Sequence, residues 1–165
     1  MDLYLVCFGK LKTQGLQTAT DHYLKMLKKW ANVKVIELKP ISVPNKSPET
    51  RKQIQKKEAE KLKLTLSKYL SNKSKVFLLS ETGRSQTTTE WAKKIETCQN
   101  QGVSQIAFCI GSSLGFDSSV YDLAQDSFNL GKQTLSHELA RVVLAEQLFR
   151  AWSVTQSHPY HNEGC

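Results

Sequence analysis

The sequence predicts an α/β fold built around a parallel sheet, and three observations support this prediction. Short apolar runs alternate with longer segments of helical periodicity along the chain, which is the pattern of α/β proteins. The opening strand, helix and strand form a β-α-β unit, which favours a right-handed parallel crossover. The 165 residues contain no repeat, low-complexity segment or linker, so we expect a single domain over residues 1–165.

Short apolar runs mark the predicted strands. Four of them, at 3–8, 33–38, 75–80 and 105–110, are rich in Val, Ile, Leu and Phe. Residues 81–84, with the sequence Glu-Thr-Gly-Arg, are predicted to form the turn from the third strand into the next helix. A last short strand is predicted at 133–135.

Helices are predicted where apolar residues recur at helical spacing after a start signal. They cover 13–30, 48 to about 72, a segment that begins after Thr87, 118 to about 125, and 137–152. Ser47 before Pro48 is a favourable helix start. Thr87 and Glu90 have the spacing of a capping box, and Asp117 or Ser118 can cap the fourth helix.

The charge balance indicates a polyanionic partner. Lysine and arginine number 23 against 15 acidic residues, which gives a net charge of +8 and a pI near 9.3. Nucleic acid is the commonest partner of such a chain, and plain solubility is the alternative explanation. Apolar runs are far shorter than the roughly 20 residues that span a bilayer, and the amino terminus lacks a signal-peptide pattern, so we expect a cytoplasmic protein without a membrane partner. The four cysteines lack metal-ligand spacing, and no metal site is expected.

Two loops in the last third of the chain are the candidate ligand-binding loops. Residues 111–115 read Gly-Ser-Ser-Leu-Gly after an apolar strand, and residues 130–135 read Leu-Gly-Lys-Gln-Thr-Leu. Loops at the carboxyl ends of parallel strands are where α/β sheets bind ligands. The first loop also fits the Gly-x-Ser-x-Gly pattern of serine hydrolases, with Ser113 as nucleophile and His137 or His158 later in the chain. The phosphate-loop and dinucleotide fingerprints are missing from the sequence.

Three blocks carry a resemblance to a known family. They are Ser-Phe-Asn-Leu at 127–130 continuing to Thr-Leu-Ser-His at 134–137, Arg-Val-Val-Leu-Ala-Glu-Gln-Leu-Phe-Arg-Ala-Trp-Ser at 141–153, and His-Pro-Tyr-His at 158–161. With these blocks the chain resembles the RlmH family of SPOUT methyltransferases, which methylate N3 of a pseudouridine in helix 69 of large-subunit ribosomal RNA. The resemblance implies a SPOUT-type parallel-sheet fold with helices on both faces and a C-terminal trefoil knot. It also implies S-adenosylmethionine as methyl donor, ribosomal RNA or the ribosome as partner, and a homodimer.

The same resemblance implies the donor pocket and places Tyr160 and His161 around the target base, whereas side-chain chemistry alone suggests His137 and the RNA-binding arginines. The donor pocket would be formed by Leu79, Gly111, Leu130, Gly131, Lys132, Gln133, Thr134 and Leu135. His137, Tyr160 and His161 are the candidate catalytic residues, since a base of near-neutral pKa would help to remove the N3 proton. Arg84 and Arg141 would contact RNA phosphates, and Arg150 would contact RNA or pair with Glu146.

The first loop departs from the pattern that the family usually shows. It reads Gly-Ser-Ser-Leu-Gly where the family usually has Gly-Gly-x-x-Gly. Ser136 replaces a Pro that is frequent before the histidine, and Ser80 replaces a frequent Asp. Two alternatives to a methyltransferase therefore stay open: a serine hydrolase using Ser113, and a non-catalytic RNA-binding protein that no longer binds the donor.

Overall fold

A parallel sheet forms the centre of the computed structural model, which describes residues 1–45 and 47–157. In this part of the chain its strands are β1 (Asp2–Phe8), β2 (Asn32–Leu38), β3 (Ser74–Arg84), β4 (Gln105–Ile110) and β5 (Asp126–Phe128). The strand order is β2-β1-β4-β3-β5, and every pairing is parallel. The predicted α/β fold with a parallel sheet is confirmed.

The helices cover both faces of this sheet, as expected. They are α1 (Gln14–Leu27), α2 (Pro48–Tyr69), α3 (Thr88–Asn100), α4 (Ser118–Tyr121) and α5 (His137–Thr155). Side chains of α1, α3 and α5 pack on one face of the sheet, and those of α2 and α4 pack on the other. The predicted caps are present, because Ser47 accepts a hydrogen bond from the backbone N–H of Thr50 and Thr87 forms the full capping box with Glu90.

The central strands are buried on both faces, which explains their continuous apolar sequence. Leu3 and Leu5 of β1 face the α1 and α5 side, whereas Val6 and Phe8 face α2. Trp152 of α5 is fully buried in the first of these layers. Helix α5 contacts both α1 and α3, so the last helix completes the larger of the two cores.

Two sequence predictions about the third and last strands are wrong. The segment 81–84 is not a turn, because β3 continues through it to Arg84 after a register shift and pairs with Phe128. The last strand is Asp126–Phe128 and not 133–135. Correspondingly, α4 ends at Tyr121, four residues before the predicted end.

The end of β3 and the residues after β5 pass very close to each other. A Cβ added to Gly83 would lie 2.5 Å from the carbonyl carbon of Phe128, so only glycine fits there. Asn129 joins the two segments, since its Nδ2 donates to Gly83 O at 2.8 Å and its backbone N–H donates to Arg84 O at 3.1 Å. The trefoil knot implied by the resemblance stays a prediction.

Candidate functional site

A cleft of about 670 Å³ lies at the carboxyl edge of the sheet. Its walls are formed by the residues that follow Leu78 in β3, by the loop after β4, by the segment between β5 and α5, and by the first turn of α5. The second half of β3 and the segments that follow its two neighbours, β4 and β5, thus meet at one place. This is the edge where parallel α/β sheets bind ligands.

The cleft brings together most of the residues predicted to hold a donor. Seven of the eight line it, namely Leu79, Gly111, Leu130, Gly131, Gln133, Thr134 and Leu135. Lys132 is exposed and does not line the cleft. The two loops chosen from sequence therefore lie face to face across a single cavity.

The loop after β4 is a tight turn. Gly115 adopts a φ of 73° and donates its N–H to Ser112 O at 3.0 Å. The Ser112 hydroxyl accepts the N–H of Leu114 at 3.2 Å and donates to Glu58 Oε2 at 2.6 Å. A Cβ added to Gly111 would lie 3.4 Å from the ring of Phe116 and from the carbonyl carbon of Gly115, so the turn leaves little room for a side chain at this position.

The segment between β5 and α5 offers backbone groups to the cleft. Gly131 has a φ of 135°, which favours glycine, and donates its N–H to Asn129 Oδ1 at 3.3 Å. The backbone N–H groups of Thr134 and Leu135 have no hydrogen-bond partner within the described residues. Unpaired N–H groups beside a cavity are available to the acceptor atoms of a ligand.

His137 is the first residue of α5 and lines the cleft. Its ring packs on Gly9, and a Cβ added to Gly9 would lie only 2.9 Å from His137 Nε2. Gly9 also has a φ of 90°, so both the space and the backbone favour glycine there. Glu138 anchors the same helical turn, because it accepts hydrogen bonds at 3.0 Å from the backbone N–H groups of Lys12 and Thr13. These two bonds lower the pKa of Glu138 below its ordinary value. The other two candidate catalytic residues, Tyr160 and His161, lie outside the described residues.

The three arginines predicted to bind RNA have different environments. Arg84 is 67% exposed and pairs with Asp126, and Arg150 pairs with Glu146 at 2.8 Å. Burial acts to raise the pKa of Asp126, but hydrogen bonds from Lys94 and Arg84 outweigh it and lower that pKa.

Arg141 does not fit the predicted role. It is 1% exposed, and its guanidinium donates to Glu37 Oε1 at 2.6 Å and to Gly9 O at 2.7 Å. The prediction of a phosphate contact is therefore wrong for Arg141, because a buried guanidinium with these partners is not open to RNA. Its place in the structure is to fix α5 to β2 and to the residue after β1.

Sequence reasoning marked the basic face of α2, which includes Arg51, as either a phosphate-binding or a solvated face, but it did not place this helix at the cleft. Arg51 lines the cleft from the first turn of this helix, and Gln55 donates to Leu114 O at 2.7 Å from the next turn. Glu58 then contacts Ser112, as described above. The three residues are spaced by four and by three positions, which places them on one face of the helix. This spacing is the only indication of the shared face that the sequence offers. Their target loop lies more than 50 residues later in the chain, so the signal could not identify it.

The geometry does not support a serine hydrolase. Ser113 lines the cleft, but among the described residues no histidine is hydrogen-bonded to its hydroxyl; His158, the other candidate base, lies outside those residues. Nucleophilic chemistry at Cys7 and Cys109 is disfavoured too, since burial raises the pKa of Cys7 to about 11 and also raises that of Cys109.

The part of the chain that the structure describes contains neither a metal-ion site nor a membrane-spanning helix. Over residues 1–45 and 47–157, no three His, Cys, Asp or Glu side chains are grouped so that they could bind a metal ion. None of the helices in these same residues combines the length and apolar character needed to cross a membrane.

Comparison with known proteins identifies close relatives along the full chain. A family model described as a predicted SPOUT methyltransferase matches residues 1–161. A protein of Lactobacillus delbrueckii subsp. bulgaricus, named ribosomal RNA large subunit methyltransferase H, is 35% identical over 162 residues, covering 98% of this chain and 99% of its own. Proteins of the same name from Latilactobacillus sakei subsp. sakei and Bacillus thuringiensis are 35% and 34% identical with the same coverage.

Proposed function

The chain belongs to the SPOUT methyltransferase family, and from this premise we propose that it transfers a methyl group from S-adenosylmethionine to N3 of a pseudouridine in helix 69 of large-subunit ribosomal RNA. One observation carries the proposal: seven residues expected to hold the donor line one cleft at the carboxyl edge of the sheet. The names of the relatives support ribosomal RNA as the substrate.

The cleft has the size and chemistry that the donor requires. Its volume of about 670 Å³ is within the usual range for small-molecule sites. Leu79, Leu130 and Leu135 supply apolar surface for the adenine ring, and the N–H groups of Thr134 and Leu135, which have no partner within the described residues, can hydrogen-bond to its nitrogens. The residues present therefore fit the donor.

The transfer needs alignment and removal of one proton. When bound, the donor supplies an electrophilic methyl group on a sulfonium. The bond from N3 to this methyl forms while the bond from sulfur to the methyl breaks, and the N3 proton passes to a base. We propose His137 as this base because it lines the cleft, with Tyr160 and His161 placed around the target base by the resemblance.

Cationic side chains support an RNA substrate. Arg51 lines the cleft, and its guanidinium has no hydrogen-bond or ion-pair partner within the described residues. A cation in the first turn of a helix opposes the helix dipole, which favours an external anion as its partner. Arg84 is exposed enough to bind a phosphate beside Asp126, and Arg150 is a weaker candidate because of Glu146. We also propose a homodimer, as the resemblance implies, and a location in the cytoplasm.

Mass spectrometry of ribosomal RNA tests the proposal. A strain lacking the protein should lose one methyl group from a pseudouridine in helix 69, and the wild-type gene should restore it. Removal of residues 160–165 should abolish methylation while donor binding, measured by calorimetry, persists. An unchanged methylation pattern in the deletion strain would contradict the proposal.

The two alternatives give different results in simple assays. A non-catalytic RNA-binding protein would give no heat with S-adenosylmethionine. A serine hydrolase would be labelled at Ser113 by a fluorophosphonate, whereas we expect no labelling.

A further inference from the structure

Glu58 is a buried carboxylate directly behind the first loop of the cleft. It is 3% exposed, and within the described residues no cationic group forms an ion pair with it. Its Oε1 accepts the backbone N–H of Ile41 at 2.9 Å, and its Oε2 accepts the Ser112 hydroxyl at 2.6 Å. A buried carboxylate is tolerated only when it is hydrogen-bonded, so these two contacts are what the carboxylate requires.

Ser112 transmits this contact into the loop. Because its hydroxyl proton points to Glu58, the oxygen lone pairs are left to accept the N–H of Leu114 at 3.2 Å. The carbonyl of the same serine accepts the N–H of Gly115 at 3.0 Å and closes the turn. One carboxylate thus fixes the orientation of the residue on which the whole turn is built.

Gln55 holds the opposite side of the same turn. It lies three residues before Glu58 on the same helix face and donates to Leu114 O at 2.7 Å. Leu114 is therefore fixed at both its N–H and its carbonyl. The N–H of Ser113, between the two fixed residues, has no partner in the described part of the chain and stays available to a ligand.

We propose that Glu58 and Gln55 are positioning residues of the donor site, which hold the loop 111–115 in the conformation that binds S-adenosylmethionine. Neither residue lines the cleft, so both act through Ser112 and Leu114. This inference rests on the proposed function for the identity of the ligand. Helix α2, which contacts the loop through these two side chains, would thus contribute to donor affinity.

A double-mutant cycle on donor binding tests the proposal. Glu58→Gln and Ser112→Ala should each raise the dissociation constant for S-adenosylmethionine about tenfold, since each removes a charge-assisted hydrogen bond. The double variant should bind no more weakly than the weaker single variant, because both changes break the same contact. The KM for the donor should rise in parallel, whereas kcat at saturating donor should stay within about twofold of wild type.

Gln55→Ala should weaken donor binding too, and Gln53→Ala, an exposed change on the same helix, is the matched control. All titrations are run well below each variant's melting temperature. A lower melting temperature with an unchanged dissociation constant would mean that Glu58 and Gln55 only stabilise the fold, and would overturn the positioning role.

Hydrogen exchange without donor separates this inference from the proposed function. The amides of Leu114 and Gly115, which are hydrogen-bonded to Ser112, should exchange faster in Glu58→Gln and Gln55→Ala than in wild type or Gln53→Ala. If the wild-type chain gives no heat with S-adenosylmethionine, the proposed function fails, and exchange still tests the loop contacts. Unchanged exchange at Leu114 and Gly115 in both variants would overturn the inference by itself.

Discussion

Replacement of Arg141 by methionine should destabilise the protein without weakening its binding to RNA. The guanidinium is 1% exposed and bonds to Glu37 at 2.6 Å and to Gly9 O at 2.7 Å. Removing one partner of a buried ion pair costs about 3–5 kcal/mol. The Glu37 side chain keeps 32% exposure and can be hydrated after the change, so we expect a smaller cost, about 2–3 kcal/mol. For a protein of this size that corresponds to a melting temperature lower by about 5–10 °C.

Thermal denaturation and RNA binding at several salt concentrations measure the two halves of this prediction. Glu37→Gln should be destabilising as well, and the double variant should be less destabilised than the sum of the two single variants. Lys34→Met, which breaks the exposed pair with Asp2, is the control and should shift the melting temperature far less.

The slope of the logarithm of the RNA association constant against the logarithm of the salt concentration should be unchanged in Arg141→Met, because Arg141 is buried and makes no phosphate contact. Loss of one phosphate contact would reduce the size of this slope by about one. A variant that melts like wild type but binds RNA with a reduced slope would refute the structural role of Arg141.

Three further changes have expected outcomes. Gly83→Ala places a Cβ 2.5 Å from the backbone of Phe128, so we expect loss of the cooperative melting transition or of donor binding. Gly15→Ala is the control, because a Cβ there meets no atom within 4 Å, and it should melt like wild type. The pKa of Asp126 is lowered in the folded protein, so its contribution to stability is present above its ordinary pKa of 3.8 and is lost as the pH falls through the lower folded pKa. In urea unfolding from about pH 7 to about pH 3, the free energy of unfolding should therefore fall less steeply with acid in Asp126→Asn than in wild type. Identical profiles would contradict this. His137→Gln should lower kcat by about 10²–10⁴ if it is the base, with donor affinity retained, and an unchanged kcat would exclude it.

The parts of the fold that could be predicted are those governed by local signals. The apolar runs of β1 and β4 are long enough to identify buried strands, and Ser47 and Thr87 begin helices through hydrogen bonds to residues only three positions away. Strand β5 has three residues, two of them polar, so no periodicity could mark it. The continuation of β3 to Arg84 depends on its pairing with β5 and was missed for the same reason.

The residues of the site also fall into those that local sequence signals identify and those whose role depends on distant partners. The glycine loop and the segment 130–135 were found because glycine and strand ends are visible in sequence, and the resemblance supplied their ligand. The burial of Arg141 depends on Glu37 and Gly9, more than 100 residues earlier, and no local pattern indicates such a partner. The role of Glu58 was hidden similarly, because an acidic residue among lysines on a helix has the pattern of a solvated face.

The contacts of α5 with Gly9, the residue directly after β1, have a consequence for biosynthesis. Gly9 leaves the ribosome early, but the side chains that secure it, His137 and Arg141, are translated near the end. A nascent chain that still lacks α5 leaves the apolar sides of α1 and α3 uncovered and has no finished cleft. Premature termination before this helix should therefore yield aggregation-prone fragments without partial activity, and chaperone dependence should be greatest just before the final helix emerges.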